Sequence, residues 1–139
     1  MANGAANVPV LGPEDQTVYR ALVLQGWIKR GRITYRAFML RPASEEYPAE
    51  EEISLGLSPE SAVAGLNAPT YGFASLTVAD INGLNKGLTV RVNAENAQKA
   101  ELWGLPLWDV ETRDIAIAIA TDLAELSVFV PPLPPDVIS

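Results

Sequence analysis

Two residue types are missing outright from this 139-residue chain, which has no histidine and no cysteine. Without cysteine there is no disulfide, no thiolate metal site and no cysteine nucleophile, and the redox compartment is not legible. Without histidine the chain lacks the commonest general base, the commonest transition-metal ligand and the usual switch near neutral pH. Catalysis would have to run on carboxylates, hydroxyls, lysine, arginine or tyrosine. The balance leans against an enzyme, and no catalytic residue, cofactor or metal site is assigned. A phosphate loop is lacking too: Gly83-Leu84-Asn85-Lys86-Gly87 has neither the required spacing nor a helix behind it. Asp80-Ile81-Asn82-Gly83 begins like a calcium loop but misses the third oxygen ligand and the closing glutamate.

Long apolar runs are also absent. No stretch approaches the roughly 18 residues a membrane span needs. The opening MANGAANVPVLG has no basic start and no continuous apolar region, so no signal peptide is expected. The expectation is a cytoplasmic protein with no membrane partner. Net positive charge is missing as well. A formal charge of −7 argues against nucleic acid, whose phosphates need a basic face.

What is present is an ordinary globular mixture, 48% hydrophobic and 19% charged. The length predicts a single domain over 1–139, with a loose arm at 1–11 and a proline-rich tail at 131–139. Charge is distributed unevenly. Arg20, Lys29, Arg30, Arg32, Arg36 and Arg41 fall close together, and Glu45, Glu46, Glu50, Glu51, Glu52 and Glu60 follow with no base among them. Such neighbouring blocks are expected to neutralise each other in the fold, with an anion site on the arginines as the alternative.

Local patterns give a coarse element order. Pro13, Glu14 and Asp15 suit a helix start, and Val18, Ala21, Leu22 and Gln25 lie on one stripe, so a helix is predicted over 13–25. Residues 32–41 alternate with both faces largely apolar, as in a central strand ended by Pro42. ISLGLS at 53–58 predicts a short strand, and Ser58 with Pro59 a helix start behind it. A strand is predicted from Phe73 to Ile81, another over 88–93, and between 102 and 108 an apolar segment packing Trp103 and Trp108 partly inside. Within 109–126 Ile115, Ile117 and Ile119 alternate with alanine as in a strand, while length, an acidic start and alanine content favour a long helix; SVFV predicts a short strand, and VPPLPP an extended tail. The fold class is therefore α+β: a mostly antiparallel sheet of about four to five strands, two longer helices and one short helix.

The candidate ligand-binding residues are Tyr35, Arg36 and Ser58. An arginine on a strand filled with Phe38 and Leu40 must reach solvent, a carboxylate or a ligand, because burying it unpaired is very costly. Pairing of Arg36 with the glutamates of the next loop is the leading expectation, and an anion site around it the rival. Trp27, Trp103 and Trp108 are read first as core and second as pocket walls. The proline tail at 131–135 is a candidate protein-interaction segment.

LQGWIKRGRITYRAFMLRP, ISLGLSPESAVAGLN and YGFASLTVADINGL resemble a group of small uncharacterised bacterial proteins of cyanobacterial type, over roughly residues 20 to 105. That likeness implies a histidine-alanine pair ahead of Trp103-Gly104-Leu105-Pro106, where this chain has NAENAQKAE. A remoter similarity is to ADP-ribosyltransferase-like folds. It implies Arg36, Ser54 or Ser58, and Glu95 or Glu101 as the matching positions. The functional expectation is a non-catalytic soluble bacterial protein that self-associates as a homodimer or contacts other proteins. The alternative is a nucleotide or other anion site at Arg36, or an ADP-ribosyltransferase-like enzyme with its site there.

Overall fold

A computed structural model describes residues 14–66, 70–107 and 109–133. Eight strands and three α-helices follow one another in the order β1 (Thr17–Ala21), β2 (Ile28–Lys29), β3 (Arg32–Ile33), β4 (Ile53–Gly56), α1 (Pro59–Val63), β5 (Phe73–Thr77), α2 (Val78–Gly83), β6 (Thr89–Val92), β7 (Lys99–Trp103), α3 (Arg113–Leu126) and β8 (Val128–Val130), these being counts over the described residues. Single 3-10 turns at Gln25–Trp27 and Tyr35–Phe38 flank the β2–β3 hairpin.

Six of the strands form one antiparallel sheet in the order β6-β7-β4-β1-β5-β8, and β2 and β3 pair by themselves. Register fixes which side chains share a face. Val18 lies opposite Leu76, Ile53 opposite Leu102, Leu55 opposite Ala100 and Val90 opposite Leu102. All of these are buried and form one face of the sheet. The same alternation puts Arg20, opposite Ala74, on that apolar face.

Helix α3 and the Tyr35–Phe38 turn cover this face together and pack on each other. Ala116, Ile119, Ala120, Leu123 and Ala124 are the buried stripe of α3, spaced as a 3.6-residue period requires. Phe38 is only 1% exposed and plugs the space beneath. Burying a phenylalanine stabilises by about 1.5–3 kcal/mol, enough to hold a short turn that could not form alone. On the opposite face α1 lies over β1 and β4. Its approach is so close that a Cβ on Gly56 would stand 2.6 Å from Ala62 Cα.

Several expectations are corrected. The predicted helix over 13–25 is the strand β1, whose residues pair along their whole length with β5. β1 lies inside the sheet, between β4 and β5, where non-local hydrogen bonds override a helical stripe. The predicted central strand over 32–41 is the two-residue β3 followed by the 3-10 turn, which drives Ala37 and Phe38 into the core. The strand expected from Phe73 to Ile81 stops at Thr77. There Thr77 and Asp80 form a reciprocal capping box, and Val78 and Ile81 turn inward on α2. Lys99–Trp103, for which no strand is predicted and of which only residues 102 and 103 fall in the expected apolar segment, is the strand β7. The forecast of about four to five strands with two longer helices is therefore overturned. The sheet has six strands plus a separate pair, and only α3 among the described helices exceeds six residues.

Ser58 and Pro59 do start α1, with the Ser58 hydroxyl accepting from the Ser61 N–H at 3.1 Å. The arm at 1–11, Trp108 and the end of the proline-rich tail lie outside the described residues. Among the described residues no helix is long and apolar enough to cross a membrane.

Candidate anion-binding cleft

Where β1 leaves the sheet and β4 enters it, an open cleft of about 750 Å³ is walled by the 25–27 and 35–38 turns and the first half of α3. Four arginines line it, Arg20, Arg36, Arg41 and Arg113, with one carboxylate, Glu50, so the lining carries +3 in a chain of −7. Trp27, Tyr35, Met39 and Ile117 supply apolar wall between them.

The arginines are held differently. Arg20 reaches the cleft from the apolar face of the sheet, and its anchorage explains how it can stand there. Its Nε donates to the carbonyl of Ala37 at 3.0 Å, Nη1 makes a longer 3.4 Å contact with the Ser54 carbonyl, and the guanidinium lies 4.9 Å over the Trp27 ring. Burial lowers its pKa to about 10, against the opposing pull of Glu50. It stays charged at neutral pH and forms the floor of the site.

Arg41 closes the acidic loop. Its main-chain N–H donates to Glu50 Oε1 at 2.6 Å, and its guanidinium donates to the carbonyls of Pro42 at 3.3 Å and Pro48 at 3.1 Å while lying 5.3 Å over Tyr47. Main-chain bonds fasten the loop further, the Glu50 N–H donating to the Arg41 carbonyl at 2.9 Å and the Ser44 N–H to the Tyr47 carbonyl at 2.8 Å. Glu45 and Glu46 are exposed on it. Arg113 opens α3, where the positive end of the helix dipole disfavours a cation by about 0.3–1 kcal/mol. An anion in the cleft would relieve both the charge crowding and that unfavourable placement.

Arg36 is exposed and lines the cleft beside the half-buried Tyr35. The 3-10 turn positions both: Ala37 and Phe38 are buried anchors, Tyr35 packs against the core and Arg36 stands exposed. Ser58 is placed elsewhere. It is not among the lining residues, and its hydroxyl is committed to capping α1.

The residues of the ADP-ribosyltransferase resemblance are partly brought together. Ser54 lines the cleft and is the cross-strand partner of Glu101. Glu101 does not line it, and its two oxygens accept from Asn93 Nδ2 and Trp103 Nε1, each at 3.0 Å. Glu95 sits exposed after β6. Trp103 is half-buried on that outer face and Trp27 is the tryptophan of the cleft wall. Arg20 and Arg41 belong to the charge block whose alternative reading is an anion site, and Trp27 is a second-choice pocket wall. Arg113 is not singled out from the sequence, and nothing local links it to them across more than seventy residues.

No protein-family model, no curated protein and no solved structure matches the chain.

Proposed function

We propose that this is a non-catalytic binding protein whose cleft takes an anionic ligand with an apolar or flat part, Arg36 and Arg113 making the mobile contacts and Arg20 the fixed one. The observation that carries the reading is the gathering of four arginines around one carboxylate in an acidic chain. A concave site of one sign focuses the field and raises the local concentration of opposite charge. Its volume falls in the ordinary range for small-ligand sites. Catalysis is left out of the reading because Glu101, one of the two carboxylates an ADP-ribosyltransferase-like reaction would draw on, does not line the cleft and is held by two donors, and Glu95 does not line it either.

The test is a thermal-shift screen of wild type and Arg36→Ala against ATP, inorganic triphosphate, sugar phosphates and citrate. A ligand at about 100 times its Kd adds roughly 2.7 kcal/mol, a shift of several degrees in a domain of this size. The expected result is a shift in wild type that Arg36→Ala loses while its own melting temperature is nearly unchanged. Absence of any shift in wild type overturns the reading.

Self-association is a second reading, supported by a different surface. Ile115 on the outer side of α3 and Val128 on β8, the last strand of the sheet, are 58% and 63% exposed. Light scattering that finds only monomer at high protein concentration counts against it.

A further inference from the structure

The cleft does not end at Arg36. Two hollows of about 450 and 410 Å³ continue it. Tyr35 and Arg36 wall both the cleft and the first hollow, and Ile33, Ala124 and Glu125 wall both hollows. On the α3 side the wall advances from Arg113 and Ile117 through Thr121 to Ala124 and Glu125. The three therefore form one trough running beside a 14-residue helix, about 20 Å at the helical rise. A compact anion engages one end of such a trough only.

The far end is basic as well. Lys29 lines the first hollow and Arg32 the second, and the two face each other across the β2–β3 hairpin. Like charges directly opposite destabilise a strand pair. The turn between them sets Arg30 at φ 54° and Gly31 at φ 77°, and a non-glycine residue is uncommon in that region. All three cations are exposed. Positive φ at both turn residues is the form that matches a hairpin's twist, so the turn itself needs no ligand; the facing cations are what an anionic partner lying along the trough would neutralise.

The second hollow also lies between two strand edges. β8 ends the six-stranded sheet and β3 belongs to the two-stranded one, and Phe129 of β8 and Ile33 of β3 both wall it. β3 and β8 already pack on each other, so a partner chain lies against their side chains and does not insert between their edges.

We infer that the trough binds an extended acidic peptide of a partner protein, its carboxylates meeting Arg113, Arg36 and the Lys29/Arg32 pair and its apolar side chains lying against Tyr35, Ile33 and Ile117. About six residues in extended form match its length. This deepens the anion-cleft reading and rests on it.

The experiment is fluorescence anisotropy with a labelled hexapeptide alternating glutamate and leucine, beside calorimetry with ATP and inorganic triphosphate as compact anions. The peptide is expected to bind wild type and to bind Lys29→Glu/Arg32→Glu about tenfold more weakly, the scale of two exposed ion contacts reversed. Compact anions should bind that double variant as they bind wild type. Glu125→Lys removes an acid from the trough and should tighten the peptide, an outcome that misfolding cannot mimic. Compact anions binding at Arg36 while the peptide fails to bind, or binds indifferently to these variants, overturns the inference and leaves the cleft reading standing. If no probe binds, the cleft reading itself falls and the inference with it. Dimerisation abolished by the hairpin reversal, with no peptide binding, assigns the trough to a second copy and also overturns it.

Discussion

Replacing Arg20 by methionine separates an arginine that builds the cleft from one that serves a ligand. Methionine keeps an unbranched apolar stem against the core and removes the guanidinium alone. The loss includes the 3.0 Å bond to the Ala37 carbonyl, the weaker 3.4 Å contact to Ser54 and the stacking on Trp27 at 4.9 Å. A hydrogen bond from a charged donor contributes about 1.5–3 kcal/mol, and a cation over an exposed ring about 0.5–1 kcal/mol. Against this stands the relief of no longer holding a charge where burial disfavours it, the same effect that lowers the Arg20 pKa to about 10. A net destabilisation of about 1–2 kcal/mol follows, because the strand-to-turn link from β1 to Ala37 goes with it. With a urea slope of about 1.5 kcal/mol/M, tryptophan fluorescence should show the midpoint falling by about 1 M at unchanged slope. A midpoint equal to or above that of wild type would refute the reasoning and mean that burial of the charge outweighs its three contacts. In that case Arg20 is there for the ligand and not for the fold.

Two further predictions follow from the other face of the sheet. Burial raises the Glu52 carboxyl above the ordinary value of 4.5, and Glu101, Glu51 and Glu50 push it the same way. A carboxyl raised on folding binds its proton more tightly in the native state, so its stabilising contribution is present in acid and is lost as pH rises through the raised value. Glu52→Gln should therefore be more stable than wild type at pH 7, with the difference fading as pH is lowered through the carboxylate range in a series of melting curves; a difference that grows toward acid refutes the sign. Gly56→Ala puts a methyl 2.6 Å from Ala62 Cα and 2.7 Å from Ser61 Oγ. Main chain cannot rotate aside, so α1 must lift, at about 1–3 kcal/mol. A melting temperature within about 2 °C of wild type would show that α1 is loosely held.

What was legible locally is what local interactions decide. The Ser58-Pro59 start of α1, the short β4, β6 and β8, and the alanine-rich α3 all rest on caps, alternation or period within a few residues, and each is found in its predicted segment, although α3 begins at Arg113 and not at 109. β7 was within reach: Ala100 and Leu102 are buried while Lys99, Glu101 and Trp103 between them are not. That is a strand's alternation, overlooked beside Gly104 and Pro106. Residues 14–25 and 34–41 were not within reach in the same way. Val18, Ala21 and Leu22 fit a helical stripe, yet two neighbouring strands supply pairing that a lone helix turn cannot match. Phe38 belongs to a period-two run, yet the chain bends there because α3 offers a lid for it.

The site divides the same way. Sequence alone determined that histidine and cysteine chemistry is excluded, that the cations crowd into one stretch, and that Tyr35-Arg36 is an awkward pair for an apolar segment. Tertiary structure alone decided that Arg36 stands in a cleft, that Arg113 joins it from a helix far along the chain, and that Ser58 does not. The physical reason is that charge and composition are additive along a chain. A binding site depends on which side chains share a concave surface, and only non-local strand pairing and the packing of α3 on a single buried turn set that.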